Sequence, residues 1–557
     1  MKRLLALFLA LCLMLSACMP VSNQDTTAPD TVPDTTVPDT TAPEPTEPPF
    51  DISKMEPVHE RLNYTMTQAD IDAFYDLLET AEPMAIAGED LEEIDRITDE
   101  LDDKFEFLSD QLQILYVIYC TDQSHEGVKE LYLSTTDTLT EAQDAYMQSV
   151  RRIYQSDTPA KDMLFEDWTE EDIAHLLAYT EEVSQLQKRN SEIIVEYRDL
   201  PEGTKNRDMI PLYSELVRNN NRIAEIYGYA NYYEYAYKNV YERDYDGESV
   251  KKMRSYIAKY LAPVCDDALT AFQETFYSMG GVDQGVVSGL LYYNYETRPK
   301  NYVDLYLKSL PESISADMQS MFTENRVFFA KSDNAYSGAF TTEFFDEPFC
   351  YFSKDYNSMG TIIHELGHFY AAKHMELNDI PMDLAETHSQ GNEWLFMTFL
   401  EDQLKEEHYQ SMLDYKLYEA IAMILVCAMV DEFEEKVYTH PNAGHLTAAE
   451  YDQLMVEVAQ AYGGINYIST NVADMQSYWR IVAMESPVYY ISYAVSSVAA
   501  LNLFTMSQKN MDKALNVYRQ LCEEADEDKG FLWNIKNAGL AGPFADSVYK
   551  DLNKLFQ

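Results

Sequence analysis

Positive charge is what this 557-residue sequence most lacks: 41 Lys and Arg stand against 95 Asp and Glu, a formal net charge of −54. A nucleic-acid binder concentrates positive charge against phosphates, so that class is excluded. A strongly acidic exterior instead draws cations towards clefts. Glycine is scarce, at 19 residues, and proline is rare outside one N-terminal stretch. Both absences suit long helices joined by short connections. Cysteines are few and show no paired metal spacing. Cys12 and Cys18 lie near the N-terminus, and Cys120, Cys265, Cys350, Cys427 and Cys522 are scattered. In a chain with 46% hydrophobic residues they read as buried thiols, and no cysteine-built zinc site is visible. Past the N-terminus no apolar run is long enough to span a bilayer.

The N-terminus, MKRLLALFLALCLMLSACMP, pairs a basic start (Lys2, Arg3) with an apolar run shorter than a membrane span. Its end, Leu15-Ser16-Ala17-Cys18, resembles the lipobox of bacterial lipoprotein signal peptides. The resemblance implies removal of residues 1–17, a lipid on Cys18, and an extracytoplasmic protein attached to the membrane through that lipid alone. Residues 18–50 include TAPDTVPDTTVPDTTAPEPTEPP, a Thr/Pro/Asp tract with almost nothing apolar to bury, expected to act as a disordered tether.

From about residue 50 the pattern is helical. In LEEIDRITDELDDKFEFL, the residues Leu91, Ile94, Ile97, Leu101, Phe105 and Leu108 recur every three or four positions. One region breaks that pattern. Arg326 to Phe352, RVFFAKSDNAYSGAFTTEFFDEPFCYF, is aromatic and interrupted by Gly338, which predicts short strands or a hairpin. An exposed edge there could pair with an extended peptide. The expected organisation is a helical domain over 51–204 and a second, catalytic domain over 205–557.

TIIHELGHFYAAKH, Thr361 to His374, carries the chemistry. On a helix His364 and His368 lie one turn apart on the same face, so two imidazoles can share one tetrahedral zinc ion. Glu365 lies at the edge of that face, placed to take a proton from a zinc-bound water rather than to bind the metal. A third protein ligand is needed. His374 holds the position where metzincins place their last histidine, but those enzymes turn on a glycine that is Ala371 here. If the helix runs on through Ala371, Ala372 and Lys373, His374 stands about 15 Å along the axis from His364 and about 80° round. The helix is expected to end near LNDIPMD, at Asn378 and Pro381. A second helix then opens in DLAETHSQGNEWLF, with Glu386 near its start and Glu393 two turns on. Glu386 is either the third ligand or a helix-start carboxylate facing the macrodipole. Glu393 could orient one of the histidines.

Taken together, these segments resemble the oligoendopeptidase F / thimet oligopeptidase family of zinc peptidases. TIIHELGHFY is similar to its zinc helix, and LAETHSQGNEW to its third-ligand segment, which implies Glu386 as ligand with Glu393 as companion. NAYSGAF (Asn334 to Phe340) is similar to its substrate-binding segment, implying Gly338, Ala339 and Phe340. RIAEIYGYANYYEYA (Arg222 to Ala236) resembles the start of its catalytic region, and PVYYISYAVSSVAAL (Pro487 to Leu501) its tyrosine segment. The implied fold is mainly α: a two-lobed, predominantly helical body with a deep channel and a small β element beside the zinc helix.

Tyr490 and Tyr493, three apart on a helix, could bring two phenols to one site and donate hydrogen bonds to an oxyanion. The other reading is aromatic packing, and Tyr489 faces elsewhere on such a helix. The resemblance favours a catalytic role for Tyr490 and Tyr493. One departure stands out: the family carries a histidine shortly before these tyrosines, where this chain has RIVAMESP, with Ile481, Val482 and Ala483. The zinc motif together with the resemblance implies a zinc endopeptidase with one zinc ion, and the resemblance implies short unstructured peptides as its substrates. A peptide-binding lipoprotein with little or no turnover is the alternative. Nothing in the chain points to an obligate protein partner.

Overall fold

The structure is a computed structural model; it describes residues 50–556 apart from 89, 199, 201–203, 205, 298, 378, 379, 464–482, 485 and 528. Cys18, the tether, Ile481 and Val482 lie outside the described residues.

The architecture is mainly α with one small sheet, as the glycine-poor sequence predicts. The helix Leu91–Thr121 buries Ile94, Ile97, Leu101, Phe105 and Leu108, while Leu91, at its first turn, is exposed. Buried apolar residues form one contiguous cluster reaching from Leu62 to Leu552, and residue 205 of the expected domain boundary lies outside the described set. The five described cysteines are buried. Among the described residues no helix is long and apolar enough to cross a membrane.

The aromatic stretch folds as expected into strands. β1 (Val327–Phe329), β2 (Ala339–Phe344) and β3 (Glu347–Phe352) form a sheet in the order β1-β3-β2. β2 and β3 are an antiparallel hairpin whose two-residue turn, Phe345 and Asp346, has φ of +55° and +56°. Two left-handed residues suit the twist of a tight hairpin. β1 joins β3 in parallel, so β2 is left with an edge that no other strand pairs among the described residues.

The helix Met359–Ala372, which carries the histidines, starts at Ser358, whose hydroxyl accepts the Thr361 N–H. That side-chain acceptor satisfies one of the unpaired N–H groups of the first turn. Most of its residues are buried, because β2 and β3 cover it on one side and the helix Met382–Leu400 on another. Gly367 makes that second contact possible. A Cβ there would stand 2.6 Å from both the carbonyl oxygen of His388 and the Cα of Ser389. Backbone cannot yield as a side chain does, so Gly367→Ala is expected to force the two helices apart. The expected cost is about 1–3 kcal/mol, read as a lower urea midpoint.

The histidine helix ends at Ala372, six residues before the expected breaker at Asn378. Tertiary contacts take the chain over at that point. His374 turns its Nε2 to Asp317 Oδ2 at 3.0 Å, and the Leu377 N–H reaches Glu343 Oε2 at 2.8 Å. His374 is thus directed to another helix by its own hydrogen bond rather than by the continued helical rotation anticipated for it.

Candidate metal centre and active site

Two buried helices and one strand build the site. His364 and His368 approach through their Nε2 atoms at 3.3 Å, and His364 Nε2 lies 3.8 Å from Glu386 Oε2. One donor atom from each of the three falls within 4.8 Å of the others. Zinc–nitrogen bonds of about 2.0–2.1 Å at a tetrahedral angle span about 3.3 Å between ligands, so the histidine pair already has the separation zinc demands. The donor set, two imidazoles and a carboxylate with no thiol, also suits that ion. A second group, Asp283, Glu407 and His408, meets the same distance test. There Lys405 stands 3.0 Å from Asp283, so the local carboxylate already has its cation.

Glu386 reaches the centre because its helix begins at Met382, which places it in the second turn; Asp383, not Glu386, occupies the first. The macrodipole reading therefore belongs to Asp383. One side chain, itself held by a third helix, ties the two helices in register. Asn392 Nδ2 donates to the Ile363 carbonyl at 2.6 Å, and Asn392 in turn accepts from Tyr306 at 2.8 Å.

Glu393 accepts a 2.7 Å hydrogen bond from Nδ1 of His364. With its proton on Nδ1, the ring presents the lone pair of Nε2 to the centre. Lys416, from the helix Glu406–Tyr438, pairs with the other oxygen of Glu393. No local pattern in the sequence singles out Lys416; only the packing of its helix brings it here. Glu365 is buried and accepts a hydrogen bond from Thr341 Oγ1 at 2.7 Å. Thr341 lies one residue beyond the NAYSGAF segment, and the two-residue period of β2 is the signal that could have found it.

The three residues expected to bind substrate divide. Gly338 uses both backbone groups on Ser353, its N–H to the hydroxyl at 3.2 Å and its carbonyl from the Ser353 N–H at 2.9 Å. It must be glycine, since a Cβ would lie 2.5 Å from the Tyr336 ring. The Phe340 ring stacks on Tyr351 at 5.0 Å in the core. In the β2–β3 register Phe340 and Thr342 direct their backbone to β3, so by alternation Ala339, Thr341 and Glu343 direct theirs to the opposite edge.

Tyr493 lies in the helix Ile491–Ser507, with Tyr490 as its N-cap residue. Their rings are 6.0 Å apart. Tyr489, expected to face elsewhere, instead donates its hydroxyl to that of Tyr493 at 3.2 Å. The chain is not yet in regular helix at Tyr489, so the helical face count used for it does not apply. Burial, and then the charge of Glu386, raise the Tyr493 phenol well above its usual range, which keeps it a hydrogen-bond donor. Ala483, from the stretch that lacks the histidine, is fully buried.

The charges at the centre are strongly coupled. Burial, with Glu365 and Glu393 nearby, raises Glu386 to about 7 from its usual 4.5. Burial lowers His364, but Glu393 outweighs it, and the ring titrates at about 9 rather than 6.5. Burial would raise Glu393, yet Lys416 and His364 hold it at about 2. Glu386 and His364 both bind protons more tightly in the folded, metal-free chain than when unfolded. Their contribution to stability is complete below about pH 4.5 and is lost as pH rises through 7 and 9. Each shift is worth at most about 3.4 kcal/mol. The chelator-stripped chain is therefore expected to melt at lower temperature at pH 9 than at pH 6. Zinc should oppose that fall, because metal binds the deprotonated donors. A stripped melting temperature that climbs over this range contradicts the assignment.

No family model matches the chain, and no curated protein does. Solved structures do. PZ peptidase A with inhibitor 2 superposes with a TM-score of 0.66 at 20% identity, over 91% of this chain and 99% of that one. A chain assigned as oligoendopeptidase F from Bacillus anthracis str. Ames gives 0.68 at 17% identity, over 90% and 98%. Oligoendopeptidase-F from Enterococcus faecium gives 0.56 at 13% identity, over 88% and 96%. At these identities the likeness is one of fold, and it runs over nearly the whole length of each chain: the protein has the oligoendopeptidase F fold.

Proposed function

We propose that this chain is a zinc-dependent endopeptidase of short, unstructured peptides. The observation that carries the reading is one juxtaposition. His364, His368 and Glu386 converge on a point, and the buried carboxylate of Glu365 is fixed beside them by Thr341. The fold shared with oligoendopeptidase structures supports it.

His364, His368 and Glu386 would hold the zinc ion. Bound there, zinc supplies a Lewis acid that polarises the scissile carbonyl and brings the pKa of water to about 7. Glu365 takes the proton of the attacking water and then carries it to the leaving nitrogen. The Thr341 hydroxyl occupies one oxygen of that carboxylate, leaving the other for the proton. Glu393, held by Lys416, fixes the tautomer of His364. Tyr493 accepts from Tyr489, so its own proton remains to be donated to the oxyanion; Tyr490 is the second candidate donor. That edge of β2, with Thr341 in it, would align an extended peptide across Glu365. Cys18 would anchor the protein as an extracytoplasmic lipoprotein, with peptides as its partners.

The test is hydrolysis of an internally quenched peptide by the purified protein. Activity should disappear on chelation and return with zinc. Hydrolysis that survives complete removal of metal would sink the proposal.

A further inference from the structure

Val488, in the turn that delivers the tyrosines, has φ +64° and is 1% exposed. A β-branched residue strongly disfavours this left-handed backbone, and it persists only where surrounding structure imposes it. The imposing groups come from distant elements. Glu434, in the helix Glu406–Tyr438 and fully buried, accepts the Val488 N–H at 2.8 Å. Arg243, also buried, donates from one terminal nitrogen to the carbonyls of Val488 (3.0 Å) and Tyr489 (3.2 Å) and to Ser492 Oγ (2.9 Å). Tyr241 donates to the Pro487 carbonyl at 2.7 Å. The rings of Tyr237 and Tyr241 lie 4.4 and 4.5 Å from the Arg243 guanidinium, which restricts its swing.

Arg243 and Glu434 form no ion pair with each other among the described residues. Both side chains are buried, and both are used on the backbone of the same turn; burial pushes the Glu434 carboxyl well above its usual range, so the lasting charge is that of Arg243. A buried charge is costly to place unless its hydrogen bonds are well made. Relaxing φ of Val488 to its ordinary negative range would rotate the chain that follows and carry Tyr489, Tyr490 and Tyr493 with it.

We infer that Arg243, Glu434 and Tyr241 clamp the Val488 turn in its left-handed conformation and thereby set where Tyr493 stands beside Glu386 of the candidate metal centre. They are positioning residues, acting through the tyrosines. The catalytic consequence rests on the peptidase reading, whereas the clamp itself does not.

The test uses the full zinc-loaded chain with Glu434→Met, which keeps side-chain length and deletes the acceptor. Its kcat is expected to fall about 10- to 100-fold, the range for leaving a buried N–H without its acceptor, with KM and zinc content unchanged. Glu434→Gln, whose carbonyl can still accept the N–H, should recover activity to within about threefold. In a Tyr493→Phe background Glu434→Met should cost almost nothing further, since coupled residues are non-additive. Hydrogen exchange at the Val488 amide should accelerate in Glu434→Met and not in Glu434→Gln. Should Glu434→Met fail to fold, Tyr241→Phe carries the same comparison at about three- to tenfold. An equal loss in the Tyr493→Phe background, or unchanged exchange at Val488, overturns the inference. A wild-type protein without zinc-dependent hydrolysis overturns the peptidase reading, and exchange at Val488 then decides the clamp alone.

Discussion

Replacing Glu365 by glutamine is expected to remove peptide hydrolysis from a protein that stays folded and keeps its zinc. The two side chains have the same shape, and the amide oxygen can accept the Thr341 hydroxyl as the carboxylate does at 2.7 Å. Glu365 is 5% exposed, so a change of shape would disturb the packing between β2 and the histidine helix, and glutamine avoids that. What glutamine lacks is the capacity to accept a proton. General-base removal costs about 10²- to 10⁴-fold in rate, and the loss should fall on kcat rather than KM because the group acts in the transition state. Turnover of a quenched peptide checks this, with thermal melting and metal analysis on the same preparation. A Glu365→Gln enzyme working at the wild-type rate would mean that another group activates the water.

Glu386→Ala is expected to lose most of its zinc, whereas His374→Ala should retain it. Removing one of three protein ligands should cost more than the 10- to 100-fold in affinity typical of residues that only orient a ligand. Glu393, which orients His364 at 2.7 Å, is the internal comparison, and Glu393→Gln should fall within that smaller range. His374 faces Asp317 at 3.0 Å, so its replacement breaks a hydrogen bond at the surface of the helix bundle and leaves the donor atoms untouched. Competition against a chelator gives the affinities. Zinc lost from His374→Ala and kept by Glu386→Ala would place the third ligand where the metzincins have it.

The legible parts of this protein are those whose physics is local. Ile94, Ile97, Leu101, Phe105 and Leu108 announce a buried helical face because helix period is a property of the chain itself. The hairpin of β2 and β3 is announced by its aromatic composition. His364, Glu365 and His368 read directly as a metal-and-base set because four residues make one turn. The less legible parts depend on what a segment meets. The end of the histidine helix is set by Asp317 and Glu343, 57 and 34 residues away from the groups they hold. Phe340 belongs to a substrate-binding segment by resemblance, yet its ring stacks on Tyr351. Helical spacing turns Tyr489 away from Tyr493, yet the chain at Tyr489 is not yet helix.

Sequence alone determined the helical class, the acidic surface, the strands beside the histidine helix and the two histidines with their glutamate. All follow from residue type and short spacing. Tertiary structure alone decided how Glu386 meets those histidines, which depends on two helices closing over Gly367. It also decided that Thr341 and Lys416 complete the site, and that Val488 is held against its own preference. The reason is physical: a ligand set needs atoms within about one tetrahedral edge, and chain spacing controls that distance only within a single turn of helix.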